Sequence, residues 1–152
     1  TNGPVTDLVW RQLADGATWL WIMNPDGSKA ADQYLGGGSD WRVVSSGDYN
    51  GDGRTDLIWR QASTGAFVAW LMNGTTTLAE TVIGSDGGGA WELVPTAADY
   101  DANADGITDL IWREKSTGAH VGWLMNVTGA TAVYPAFVLP AGGAGPVRDL
   151  PN

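Results

Sequence analysis

Two short stretches of this chain hold the residues whose types and spacing could do chemistry. The first is Asp48-Tyr49-Asn50-Gly51-Asp52-Gly53-Arg54-Thr55-Asp56, and the second is Asp101-Ala102-Asn103-Ala104-Asp105-Gly106-Ile107-Thr108-Asp109. In each, oxygen-bearing side chains stand at positions 1, 3, 5 and 9, and a glycine stands at position 6, where the backbone must turn sharply. A hard cation such as Ca²⁺ takes about six to eight oxygens at roughly 2.3–2.6 Å and tolerates irregular geometry, so the donor set suits it. Position 7 would give its backbone carbonyl, which leaves its side chain free to differ, as Arg54 and Ile107 do. Two Ca²⁺ sites are expected. One is formed by Asp48, Asn50, Asp52, Arg54 through its carbonyl and Asp56; the other by Asp101, Asn103, Asp105, Ile107 through its carbonyl and Asp109. Each loop opens like an EF-hand loop, but no glutamate stands at position 12 and an apolar strand pattern follows in place of a helix. A single acidic turn is weak evidence, because Asp, Asn and Gly populate turns for conformational reasons alone. Two copies in register, each running into Leu-Ile-Trp-Arg, are much stronger.

The elements that must position these loops repeat with them. Trp10, Trp59 and Trp112 recur after 49 and then 53 residues, and Trp21, Trp70 and Trp123 keep the same steps. Between the two tryptophans of each copy lies a hairpin pattern with no gaps, turning at Asp15-Gly16, Thr64-Gly65 and Thr117-Gly118. A more polar strand follows each hairpin, over 30–35, 76–83 and 131–139. Next comes a glycine-rich turn, and then a fourth strand that begins at Trp41 or Trp91 or, in the third copy, lies at Pro146-Val147-Arg148. The unit is thus four short strands in about 50 residues, three times over, within one domain: 1–49, 50–102 and 103–152.

Packing follows from the pattern within the strands. Residues 67–72 and 19–23 are apolar on both faces, so these strands must be covered from both sides. Four-stranded antiparallel blades stacked around an axis achieve this, which predicts an all-β, propeller-like fold. The run from Asp48 to Arg60 followed by Trp70-Leu71-Met72-Asn73-Gly74 resembles the FG-GAP or VCBS-type repeat, related to the calcium-loop blades of integrin α-chain propellers. The resemblance covers essentially the whole chain. It implies a calcium-stabilised extracellular recognition module for carbohydrate or a cell-surface partner, with metal ligands at the positions named above. The first repeat departs from it, since only Thr1 to Thr6 precede Asp7 and no acidic series stands there.

Three blades fall short of the four that closed propellers generally need. The stretch from Pro146 onward, followed by Thr1 to Asp7, is close in length to the connection from Trp41 to Asp56. The end of one copy could therefore supply what the start of another lacks. Half of a six-bladed ring, a fragment of a longer propeller, and a closed threefold β-trefoil or β-prism are the three architectures this pattern allows.

Composition bounds the partners. The formal charge is −9, with 8 basic residues and no basic run, which argues against nucleic acid and anionic membrane. No apolar run approaches the roughly 20 residues of a membrane span. The chain has no cysteine and one histidine, His120, which falls on a strand, and no serine sits in a nucleophile-elbow context, so no enzyme is expected. Tryptophans recurring among apolar neighbours read as core. Trp19 and Tyr134 have no aromatic counterparts in the other copies and are the candidates for contact with a ligand. Arg11, Arg60 and Arg113 recur as well and read as intrablade contacts. Because Ca²⁺ sites of this type suit millimolar calcium, an extracellular or periplasmic location is expected. The alternative to a recognition module is a structural subunit that assembles with its own copies or into a larger complex.

Overall fold

A computed structural model describes residues 7–96, 100–128, 131–133 and 136–139. In the first sheet β1 (Leu8–Arg11) pairs with β2 (Ala17–Met23), and β3 (Lys29–Gly37) lies on the far side of β2. The second sheet runs in the order β4 (Trp41–Gly47), β5 (Asp56–Gln61), β6 (Ala66–Asn73), β7 (Thr76–Ser85). The third repeats that order with β8 (Trp91–Leu93), β9 (Leu110–Glu114), β10 (His120–Trp123) and β13 (Ala136–Leu139). A small ribbon of β11 (Asn126–Thr128) and β12 (Thr131–Val133) stands between β10 and β13 in sequence. Every pairing is antiparallel, and the described residues contain no helix, so the all-β expectation holds.

The grouping of strands differs from the sequence expectation at one point. The strand that begins at Trp41 does not close the first unit. It pairs with the hairpin after it, Trp41 opposite Gln61 and Gly47 opposite Asp56. The Asp48–Asp56 loop is therefore a connection within the second sheet, between β4 and β5, and the Asp101–Asp109 loop lies likewise between β8 and β9. A strand after a glycine-rich turn can pair backward or forward. Here the tight return through the acidic loop makes the forward partner the near one.

The second sheet is buried on both faces. Strand alternation puts Leu57, Trp59, Val68 and Trp70 on one side, where they pack with Leu20 and Leu35 of the first sheet. Ile58, Phe67, Ala69 and Leu71 on the other side pack with Leu110, Trp112, Met125 and Val127. Phe67 meets Trp112 edge-on at 4.6 Å, and the Trp59–Trp70 and Trp112–Trp123 pairs each lie tilted at 4.8 Å. An aromatic side chain burying roughly 150–250 Å² contributes on the order of 4–6 kcal/mol of gross burial energy, so these rings dominate the stacking. The first sheet breaks the pattern. Trp59 and Trp112 are 2% and 3% exposed, but Trp10 at the matching place is 36% exposed, because among the described residues no sheet covers its face.

The recurring arginines act within the stack, as the sequence suggests. Arg11 donates from Nη2 to the Gly38 carbonyl at 3.1 Å, and Arg113 from Nη1 to Glu92 Oε1 at 2.7 Å. Arg60 donates from Nε to Asp86 Oδ2 at 2.9 Å and from Nη2 to the same oxygen, while its guanidinium lies 6.0 Å from the Phe67 ring centre. Burial pushes the Asp86 carboxyl up, but Arg60 and the Gly89 N–H at 2.8 Å outweigh it and hold the group below the ordinary carboxylate value.

Two outcomes follow. The Gly84 Cα lies under the Trp123 ring, and a Cβ there would stand 2.9 Å from Cη2, so Gly84→Ala should cost about 1–3 kcal/mol by overpacking in a denaturant titration. Loss of the Arg60 partner in Asp86→Asn should cost on the order of 1.5–3 kcal/mol at neutral pH. Because the folded pKa is depressed, that contribution is fully present above the unfolded value near 4 and disappears as pH falls through the lower folded value. The Tm gap between wild type and Asp86→Asn should therefore close in acid; a gap constant with pH would refute the ion-pair assignment.

Candidate metal centre

Both acidic loops wrap their backbone around the first aspartate. Asp48 Oδ1 accepts the N–H groups of Gly51 at 2.7 Å and Asp52 at 3.2 Å, and its Oδ2 accepts that of Gly53 at 2.7 Å. Asp101 does the same, with Asp105 N–H at 3.2 Å on Oδ1 and Gly106 N–H at 2.7 Å on Oδ2. The third and fifth side chains join at 3.2 Å for Asn50–Asp52 and 2.9 Å for Asn103–Asp105. The fifth aspartate then accepts the N–H of position 7, Arg54 or Ile107, at 2.9 Å. This winding needs left-handed backbone at position 4, supplied by Gly51 at φ 75° but by Ala104 at φ 60° in the second loop. A non-glycine residue there costs roughly 1–2 kcal/mol, which the surrounding bonds must offset.

The aspartate at position 9 has a further task. Asp56 Oδ1 accepts the Met72 N–H at 2.8 Å and Oδ2 the Tyr49 N–H at 3.0 Å. Asp109 Oδ1 accepts the Met125 N–H at 2.8 Å and Oδ2 the Ala102 N–H at 2.7 Å. Asp7 repeats the first of these bonds to Met23 at 3.0 Å, in the copy that has no acidic series before it. Each carboxylate thus ties the entry of one hairpin strand to the exit of the other. Asp56 and Asp109 are fully buried. Burial pushes Asp56 up to about 6 against the bonds from Met72 and Tyr49, and the nearby Asp52 and Asp48 add to it; Asp109 is raised for the same reasons.

The first loop also reaches the next sheet. The Asp48 carbonyl accepts the Thr108 N–H at 2.7 Å, the Asp48 N–H donates to Thr108 Oγ1 at 3.1 Å, and the Tyr49 carbonyl accepts the Val127 N–H at 2.9 Å. Tyr49 itself is buried in the core between the sheets, with its hydroxyl donating to Ser45 Oγ at 2.6 Å. Burial raises its hydroxyl pKa.

The residues fit a hard divalent cation. Every side-chain donor is oxygen, and the like charges around Asp56 and Asp109 are what such an ion would relieve. Among the described residues no three His, Cys, Asp or Glu side chains already converge on one point, so the carboxylates would reorient on binding.

Of the two aromatic candidates, Trp19 lies half-buried on the open face of the first sheet, stacked on Trp10 at 6.4 Å and tilted against Tyr34 at 5.3 Å. Tyr134 lies outside the described residues. His120 sits half-buried on β10. Sequence reasoning missed a cleft of about 450 Å³ between the second and third sheets, lined by Arg42, Arg60, Asp86, Trp91, Glu92 and Lys115 among others. Only the recurrence of Trp41 and Trp91 after glycine-rich turns hinted at it.

Stacked antiparallel sheets whose hairpins are anchored by Asp7, Asp56 and Asp109, the last two closing acidic loops, define a propeller-like repeat protein. Residues 5–59 and 48–112 each match the FG-GAP-like repeat family, and the chain belongs to that family. No curated protein and no solved structure matched the chain. No helix among the described residues is long and apolar enough to cross a membrane.

Replacing Asp56 or Asp109 by Asn leaves one carboxylate oxygen's N–H donor facing an amide, so each should cost about 1–3 kcal/mol even in chelator. Asp7→Asn, at an exposed aspartate with one such bond, should cost less. Equal costs at all three, read from denaturant midpoints in chelator, would show that the position-9 aspartates do not act through these bonds.

Proposed function

We propose that this chain is a calcium-stabilised recognition module that works outside the cell and binds carbohydrate or a cell-surface partner, without catalysing a reaction. The observation that carries the reading is the matched winding of the two loops: the same side-chain oxygens are gathered around the same backbone turn, next to a buried aspartate. In that reading Asp48, Asn50, Asp52, Asp56 and the Arg54 carbonyl hold one ion, and Asp101, Asn103, Asp105, Asp109 and the Ile107 carbonyl hold the other. Bound calcium neutralises carboxylates that repel one another and, through Asp48 and Tyr49, stiffens the junction of the second and third sheets. Calcium at millimolar levels outside the cell suits loops of this kind. For the ligand, the cleft is lined by Trp91 together with the charged groups of Arg42, Glu92 and Lys115, a mixture suited to the apolar faces and hydroxyls of a sugar.

Titration calorimetry should count two Ca²⁺ per chain, with one lost in Asp48→Ala and the other in Asp101→Ala. If free calcium stands at 100 times Kd, each site should add about 2.7 kcal/mol to stability, visible as a higher Tm than in chelator. Glycan binding, if the cleft carries it, should weaken in Trp91→Ala at unchanged calcium stoichiometry. A chain whose Tm does not respond to millimolar calcium would overturn the calcium reading.

A further inference from the structure

We propose, resting on the reading of the chain as a glycan-recognition module, that the cleft between the second and third sheets takes an acidic saccharide, its carboxylate held by Arg42 and Lys115. The chain carries a formal charge of −9 with 8 basic residues, yet three of those, Arg42, Arg60 and Lys115, line this one cleft of about 450 Å³. Asp86 and Glu92 line it as well, but each of these acids already has a partner. Asp86 is buried and engages Arg60, and Glu92 Oε1 accepts from Arg113 at 2.7 Å. Arg42 and Lys115 are exposed, and among the described residues neither forms an ion pair. Two positive charges are therefore left uncompensated at an opening in an acidic protein.

The fold does not require these charges, because the other repeats do without them. In the third sheet the strand residue opposite the recurring arginine is an acid: Glu92 stands across from Arg113, and the two are bonded. In the second sheet the same place holds Arg42, directly across from Arg60. Like charges directly opposite on neighbouring strands destabilise a sheet. Lys115 is equally out of pattern, since Leu13 and Ala62 stand in its place after the corresponding strands of the first two sheets. Its N–H donates to the Ala90 carbonyl at 3.0 Å, which fixes its backbone beside Trp91. Residues that hold this fold recur from copy to copy, as Arg11, Arg60 and Arg113 do. Arg42 and Lys115 do not, and a ligand carboxylate gives both a use. A guanidinium presents a planar fork that matches a carboxylate, and an ammonium beside it adds a second cation. Trp91 and Val43 in the same lining supply apolar surface for a sugar ring. The cleft between the first and second sheets lacks this pattern, for the cation in its lining, Arg11, already donates to the Gly38 carbonyl.

Calorimetric titration in millimolar calcium tests this by comparing trigalacturonate and triglucuronate with their methyl esters, which keep the rings and lose the charge. At least one acid should bind about tenfold tighter than its ester, with the advantage shrinking as salt is raised. Arg42→Gln and Lys115→Gln should each remove most of that advantage and leave ester binding unchanged. Arg42→Glu, which installs the third sheet's residue, should abolish the preference for the acid without lowering Tm, so lost affinity is separated from lost folding. Equal affinity for acid and ester, or an acid preference that survives the Arg42 and Lys115 substitutions, would overturn the acidic ligand and leave a module for neutral glycans standing. Binding of no saccharide, acidic or neutral, would overturn both.

Discussion

One carboxylate bond recurs at the root of the β1–β2, β5–β6 and β9–β10 hairpins, and the rest of the structure depends on it. Asp7, Asp56 and Asp109 each accept the backbone N–H of a methionine at or close to the end of the paired strand, Met23, Met72 and Met125. The bond spans 16 residues in all three copies and fixes the length of the hairpin between its ends. A fixed hairpin length sets which tryptophans face one another across the strands, as in the Trp59–Trp70 and Trp112–Trp123 pairs. Those pairs in turn set the height at which the next sheet packs. A buried carboxylate is costly unless its oxygens are satisfied, so the same aspartates draw the acidic loop in around themselves through Tyr49 and Ala102. Strand length, stacking distance and loop closure are thus consequences of one interaction used three times.

The loops add a link that the sheets alone lack. Consecutive sheets touch through side chains, and such a contact can slide. The hydrogen bonds from Asp48 to Thr108 and from Tyr49 to Val127 run backbone to backbone or nearly so, and they pin the second sheet to the third at one register. Thr108 belongs to the second acidic loop, so the two loops are neighbours. Whatever orders the first also bears on the position of the second. The strained Ala104 makes sense in this setting, since the turn is held by the Asp105 N–H donating to Asp101 and Asn103, bonds that would be lost if the backbone relaxed.

Much of this was legible in the sequence, for a physical reason. Repetition converts a weak local signal into a strong one: Trp59 and Trp112 fall at the same places relative to their loops, and their burial follows from apolar flanks that must be covered on both sides. The turns at the two acidic loops were readable because Asp, Asn and Gly favour tight turns and left-handed backbone. Three things were not readable. The partner of the Trp41 strand depends on which hairpin lies nearer in space, and linear order is silent on that. The bond from Asp56 goes to a backbone N–H, a group every residue but proline carries, so no side chain marks Met72 as its donor. Trp10 looks like Trp59 in sequence, but burial belongs to the neighbour as much as to the residue.

The same distinction explains why the first sheet is unlike the others while its sequence is so similar. Its hairpin has the root aspartate, the arginine, and the paired tryptophans, so its local structure forms as the others do. What the second and third sheets add, among the described residues, stands before their hairpins: an acidic loop, an edge strand and a covering face. These three arrive together in the second and third sheets because they are one stretch of chain, the strand and loop that precede each hairpin, laid against the sheet already formed. A repeat of this design is therefore complete only in the presence of its predecessor. On the first hairpin Leu8 is 47% and Trp10 36% exposed, and a neighbour covering them would contribute about 25 cal/mol for every Å² it buries.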